Sequence, residues 1–197
     1  MTSRPLLRWT NRDRCDDERG AVAVEAVIVI SLLLTLFFGV AEFGMALRSR
    51  HALSEATRTG ARAAASLPRQ NGYQDAAKDA IAASLADSLP SESVLNLTIY
   101  KADPVTGDPI DGTYTTCTTC WRYEWDPDTQ TFGSVSAASW DADDQNACGD
   151  DGFTDYVGVW VSGEHDLVTT FWSDKINLTG RVVMRLEPVI GTAQCGP

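Results

Sequence analysis

The sequence predicts an α+β fold: a long N-terminal transmembrane helix continuing into a soluble domain with a second helix and an antiparallel β-sheet. Three observations predict it. Residues 21–47 are nearly all apolar, with Glu25 and Glu42 as the only charges, helical periodicity returns over residues 48–67 and 74–88, and alternating strand patterns follow from Val94 to Leu186. The chain has 197 residues and a formal charge of -11, with 44% hydrophobic and 22% charged residues, which excludes wholesale disorder. Phosphate contacts need clustered Lys and Arg, so this acidity argues against nucleic acid as a partner. The organisation read from the pattern is a leader (1–20), a membrane helix with a helical stalk (21–67) and an α+β domain (68–197).

The run AVAVEAVIVISLLLTLFFGVAEFGMAL spans residues 21–47. As a helix it extends roughly 40 Å, enough to cross a hydrocarbon core of about 30 Å. A buried core helix is the poorer reading, because the small acidic remainder cannot cover it on every side. A cleaved signal peptide ending at Gly44-Met45-Ala46 is a second alternative, but helical sequence continues past that site. The leader carries Arg4, Arg8, Arg12, Arg14 and Arg19, which favours a cytoplasmic N-terminus, with Arg48 and Arg50 competing from the other end. Glu25 is the fifth residue of the run, where a carboxylate is costly unless it has a partner. Cleavage after Gly20 supplies one, the new α-amino group of Ala21, and pairing between subunits then sets the axial register. The simpler alternative is that Glu25 reaches the headgroups.

These residues carry a resemblance. Glu18-Arg19-Gly20, the apolar run with Glu25, Phe38-Gly39-Val40-Ala41-Glu42-Phe43-Gly44, Ala52-Leu53 and Arg58-Thr59-Gly60-Ala61-Arg62-Ala63-Ala64-Ala65 resemble the amino-terminal module of the TadE family. These are pseudopilins of the tight-adherence (type IVb, Flp) pilus and secretion system. The segment from Val157 to Pro188, with His165-Asp166 and Val183-Met184-Arg185-Leu186-Glu187-Pro188, also resembles longer members. Where the family often has an aromatic after the glutamate, this chain has Ala26.

The stalk continues to Leu67 with a stripe of mostly small residues, Leu53, Ala56, Gly60, Ala64 and Leu67, which lets another element approach closely. Arg48, Arg50, Arg58 and Arg62 are then solvated, or pair with Glu55 or anionic lipid. Pro68 ends the helix. A second helix over 74–88 has Asp75 in its first turn and Ala77, Ile81, Leu85 and Leu89 on one face; Pro90 stops it. The first strand, 94–101, places Leu95, Leu97 and Ile99 together. Strands 119–125 and 130–135 flank the turn Asp126-Pro127-Asp128-Thr129 and form a hairpin. Strand 156–162 points Val157, Val159 and Val161 inward, and strand 178–186 aligns Leu178, Val182, Met184 and Leu186.

Cys15 lies in the leader, leaving Cys117, Cys120, Cys148 and Cys195, an even number for an oxidising compartment. Sequence does not choose among their connectivities; the expected pairs are Cys120–Cys148, tying the hairpin to the acidic loop, and Cys117–Cys195, pinning the tail. A redox role for Cys117-Thr-Thr-Cys120 lacks a thioredoxin-like context, and zinc lacks suitable spacings and histidines. Asp144, Asn146 and Asp155, with Gly149 between them, resemble an EF-hand loop and form a weak calcium candidate; a solvated acidic loop is the simpler reading. No metal or other cofactor is expected.

Catalysis is not expected either. The two histidines, His51 and His165, have no nucleophile in register, and His165 in a strand-end turn is expected to bond backbone. Trp121, Tyr123, Trp125, Trp140 and Trp160 suit either a binding face or cross-strand packing, the latter being simpler. The resemblance implies a non-enzymatic pseudopilin-like component acting in pilus biogenesis and adhesion. It implies prepilin-type processing at Gly20 and Ala21, register through Glu25, and helix packing through Val27, Ile30, Leu34 and Phe37. The implied partners are other pilins and pseudopilins, the prepilin peptidase, the inner-membrane assembly platform and the lipid bilayer. The alternative is a single-pass, membrane-anchored extracellular binding module that is never assembled.

Overall fold

A computed structural model describes residues 13–86, 88–136, 138–148, 153–167 and 175–189, of which 13–19 and 91 by backbone alone. The elements in order are α1 (Asp13–Ala65), α2 (Tyr73–Ala86), β1 (Val94–Ala102), β2 (Cys120–Asp126), β3 (Thr131–Ser136), β4 (Tyr156–Asp166) and β5 (Lys175–Arg185). The predicted α+β architecture is observed, including the five-stranded antiparallel sheet, ordered β3-β2-β1-β4-β5. The chain divides into two compact units at Phe43/Gly44, so residues 44–65 of the predicted stalk fold with the sheet.

In the first unit α1 from Ala21 to Phe43 carries apolar residues on all sides, with Glu25 and Glu42 as its charges. Nothing covers the most apolar 18-residue window, whose mean hydropathy is 2.6. Ser31 and Thr35 donate their hydroxyls to the carbonyls of Val27 (2.8 Å) and Ser31 (2.9 Å), so both hydroxyls are satisfied within the helix. Among the described residues, this is the one helix long and apolar enough to cross a membrane.

In the second unit one face of the sheet carries the core. Leu97, Ile99, Val157, Val159 and Val161 are fully buried beneath Leu53, Ala56, Ala61 and Ala64 of α1 and Ala77, Ile81 and Leu85 of α2. The small-residue stripe of α1 makes this possible. A Cβ on Gly60 would overlap Cγ1 and Cδ1 of Ile81, and one on Gly180 of β5 would lie 3.0 Å from the Leu53 carbonyl oxygen. The C-terminal end of α1 is held from the sheet side, the Glu187 N–H donating to the Ala65 carbonyl at 3.0 Å.

Two expectations need correction here, the face of β1 and the cysteine pairing, and one feature had no counterpart in the pattern. The β1 face is Val94, Leu97 and Ile99; the β1/β4 register skips Leu95, a bulge that turns it off the core face. The opposite face of the sheet is also covered: the β1–β2 connection brings Tyr114 over Tyr100 and Trp160, its ring parallel to that of Trp160 at 5.1 Å. Finally, Cys117 pairs with Cys120, in place of either expected pair. The turn between them brings their Cα atoms to 5.6 Å, inside the usual disulfide range. Cys148 is also disulfide-bonded. Cys195 lies outside the described residues.

Candidate assembly and processing segment

Gly20 and Ala21 lie within α1, not at its edge: the helix runs through them from Asp13. Gly20 is exposed, and a side chain there would meet nothing within 4 Å. Glycine is the weakest ordinary residue of a helix interior by about 1 kcal/mol, so the Gly20–Ala21 bond is a local weak point of the helix. Glu25 follows one turn later, exposed on the helix surface. Val27, Ile30, Leu34 and Phe37 recur at spacings of three and four and are all exposed, from 50% at Leu34 to 66% at Phe37. Their neighbours Leu33, Leu36 and Val40 are exposed as well, so this apolar surface is continuous. Such a helix needs a solvent of hydrocarbon: lipid tails or other helices of its kind.

The remaining predicted site residues belong to the second unit, and the structure treats them unevenly. Asp155 is tied inward: its Oδ2 lies 2.8 Å from Lys101 Nζ and accepts the Asn146 N–H at 2.9 Å. Asp144 ends a short 3-10 turn, Ala142–Asp144, and β4 begins directly after Asp155, where an EF-hand would have a helix. Among the described residues no group of three or more His, Cys, Asp or Glu side chains is placed to hold a metal.

The aromatic residues resolve in favour of packing. Tyr123, Trp125 and Trp140 are buried in the core, Trp125 edge-on to Phe132 at 4.8 Å, and Trp121 donates its indole N–H to Tyr73 at 3.2 Å. Tyr73 in turn donates to the Trp140 carbonyl at 3.1 Å, and burial pushes its hydroxyl up to about 12. His165 lies in the end of β4 itself, its Nδ1 3.3 Å from Ser49 Oγ of α1, where a backbone partner was expected. His51 is exposed on α1. Arg58 pairs with Glu55 at 3.2 Å, as the helical spacing predicts.

Sequence reasoning missed two polar fixtures. Arg69, at φ 56° just past α1, donates its N–H to Gln145 Oε1 at 2.7 Å and its guanidinium to the carbonyls of Asp143 and Gln145. Pro68 signalled the end of the helix but not this anchor. Asp111 braces the Cys117–Cys120 turn, accepting the Thr118 N–H at 2.8 Å, the Thr118 hydroxyl, and the Thr119 hydroxyl at 2.5 Å. Burial alone would raise the Asp111 pKa; these hydrogen bonds outweigh it and hold the carboxyl at about 2. A carboxylate among threonines was the available signal.

Residues 20–62 match the family model described as TadE-like protein. The match takes in Gly20, Ala21, Glu25, the Val27 to Phe37 stripe and the packed part of α1 as far as Arg62; the distal segment from Val157 to Pro188 lies outside it. No curated protein and no solved structure matches the chain.

Proposed function

We propose, from a chain whose residues 20–62 form a TadE-like segment, that it is a non-enzymatic pseudopilin-like component of a tight-adherence pilus or related secretion assembly. It is anchored once in the cell membrane with its N-terminus cytoplasmic and its α+β unit outside. The observation that carries this reading is one helix in which Gly20, the apolar run and Glu25 stand in the order a prepilin-type segment needs, all inside the family match. Cleavage after Gly20 leaves the Ala21 amine one turn from Glu25. Between neighbouring subunits the two opposite charges offset each other's desolvation and fix how far one helix slides along the next. The exposed stripe Val27, Ile30, Leu34 and Phe37 supplies the packing surface.

The partners on this reading are other pilins and pseudopilins, the prepilin peptidase, the inner-membrane assembly platform and lipid. An anchored binding module finds less support: three of the five aromatics that suggested a ligand face are buried, and the acidic loop has Asp155 engaged by Lys101.

Mass spectrometry of the mature protein tests the proposal. The expected N-terminus is Ala21, and Gly20→Asp should abolish that product. A mature chain beginning at Met1 overturns the reading, and one beginning near Leu47 replaces it with a secreted domain. Glu25→Ala should be processed yet fail to assemble; normal assembly removes the register role.

A further inference from the structure

We infer that the outer face of α1 in the second unit docks the acidic surface of a second copy of this chain. Arg48, His51, Glu55, Arg58 and Arg62 follow one another at spacings of 3, 4, 3 and 4. At about 100° per residue this confines them to one narrow strip of helix surface. The strip lies opposite Ser49, Leu53, Ala56, Gly60 and Ala64, the buried face of the same helix, and all five strip residues are exposed. Glu55 is taken by Arg58, whereas Arg48 and Arg62 have no ion pair among the described residues.

Charge identifies the occupant. Residues 48–62 hold four Arg against one Glu, while residues 63–197 hold seven Lys and Arg against twenty acids. The second unit is therefore strongly negative overall, and α1 gives it a strip on which three Arg face one Glu. On its surface Asp141, Asp143 and Asp144 are exposed around the 3-10 turn and carry no ion pair among the described residues. Arg48 and Arg62 of the strip and the three carboxylates of this patch have no ion pair within one copy among the described residues, and each set is what the other needs. Because they are different surfaces, the contact is head-to-tail, which closes a ring or propagates a filament.

Anionic lipid is the poorer match. The strip runs about 21 Å along the axis from Arg48 to Arg62, whereas a headgroup layer is about 5–8 Å deep. An upright helix would show lipid only its first cations. The inference holds for an anchored chain as well as for a filament subunit, so it does not rest on the pilin reading.

Sedimentation velocity of the full chain in neutral detergent tests it, at about 0.05 M and about 0.5 M salt, on either side of a screening length of about 10 Å. With roughly twofold to fivefold per surface pair and at least two new pairs, from Arg48 and Arg62, association should weaken about fourfold or more at high salt. The variant Arg48→Glu/Arg58→Glu/Arg62→Glu, all on exposed positions, should keep its circular dichroism and lose the salt-sensitive association. Mixing it with Asp141→Lys/Asp143→Lys/Asp144→Lys should restore it. Association indifferent to salt and to charge reversal overturns the proposal, as does failure of the mixed pair to recover. Association that appears only on adding phosphatidylglycerol assigns the strip to lipid instead.

Discussion

Gly60 and Ile81 set how closely α1 and α2 approach, and substituting both tests the packing. Alone, Gly60→Ala gains about 1 kcal/mol of helix propensity. Its new Cβ, however, falls inside the Ile81 side chain, with the Ala77 carbonyl oxygen behind it at 3.3 Å. Overpacking of this kind costs about 1–3 kcal/mol, so the net effect runs from neutral to about 2 kcal/mol destabilising. Ile81 is fully buried, and Ile81→Ala alone should cost about 2–5 kcal/mol. In that background the alanine Cβ at position 60 enters vacated space, and the same Gly60→Ala change should stabilise by about 1 kcal/mol. The two substitutions should therefore couple by about 1–3 kcal/mol, with the glycine change improving its sign when Ile81 is shortened. Urea unfolding of the full chain in detergent, followed by tryptophan fluorescence, reads all four members of the cycle. Additivity within about 0.5 kcal/mol would refute close helix contact at this pair.

Three further outcomes are expected. Non-reducing peptide mapping should find Cys117 joined to Cys120, and Cys117→Ser should cost about 2 kcal/mol by loop entropy; a peptide joining Cys120 to Cys148 would contradict the structure. The Asp111 carboxyl is held at about 2, below its ordinary value, so its contribution is complete above about pH 4 and lost as pH falls through about 2. Asp111→Asn should flatten that part of the thermal stability profile between about pH 4 and pH 2, and an unchanged profile would count against the brace. Tyr73→Phe leaves the Trp121 indole N–H and the Trp140 carbonyl without their partner, which should destabilise by about 1–2 kcal/mol in urea and shift tryptophan emission.

Local periodicity made most of the fold legible. The run 21–47 could satisfy its backbone only as a helix, and the stripes Leu53 to Ala64 and Ala77 to Leu85 named the helix faces that are buried. Alternation at Val157, Val159 and Val161 named a core strand, and Asp126-Pro127-Asp128-Thr129 named the hairpin turn between β2 and β3. The candidate segment was equally legible, because Gly20, Glu25 and the exposed stripe are defined by spacing along one helix. Tertiary structure decided what spacing leaves degenerate. The bulge at Leu95 changed the face of one residue, since a strand's period of two offers no warning of an extra residue. The second sheet face was covered by a loop whose Tyr114 had no periodic signal. Four cysteines permit three connectivities that spacing does not rank, and the close approach of Cys117 and Cys120, braced by Asp111, chose among them. Sequence by itself determined which faces must be hidden; which groups meet behind them depends on distances between residues far apart in the chain, which only the folded chain sets.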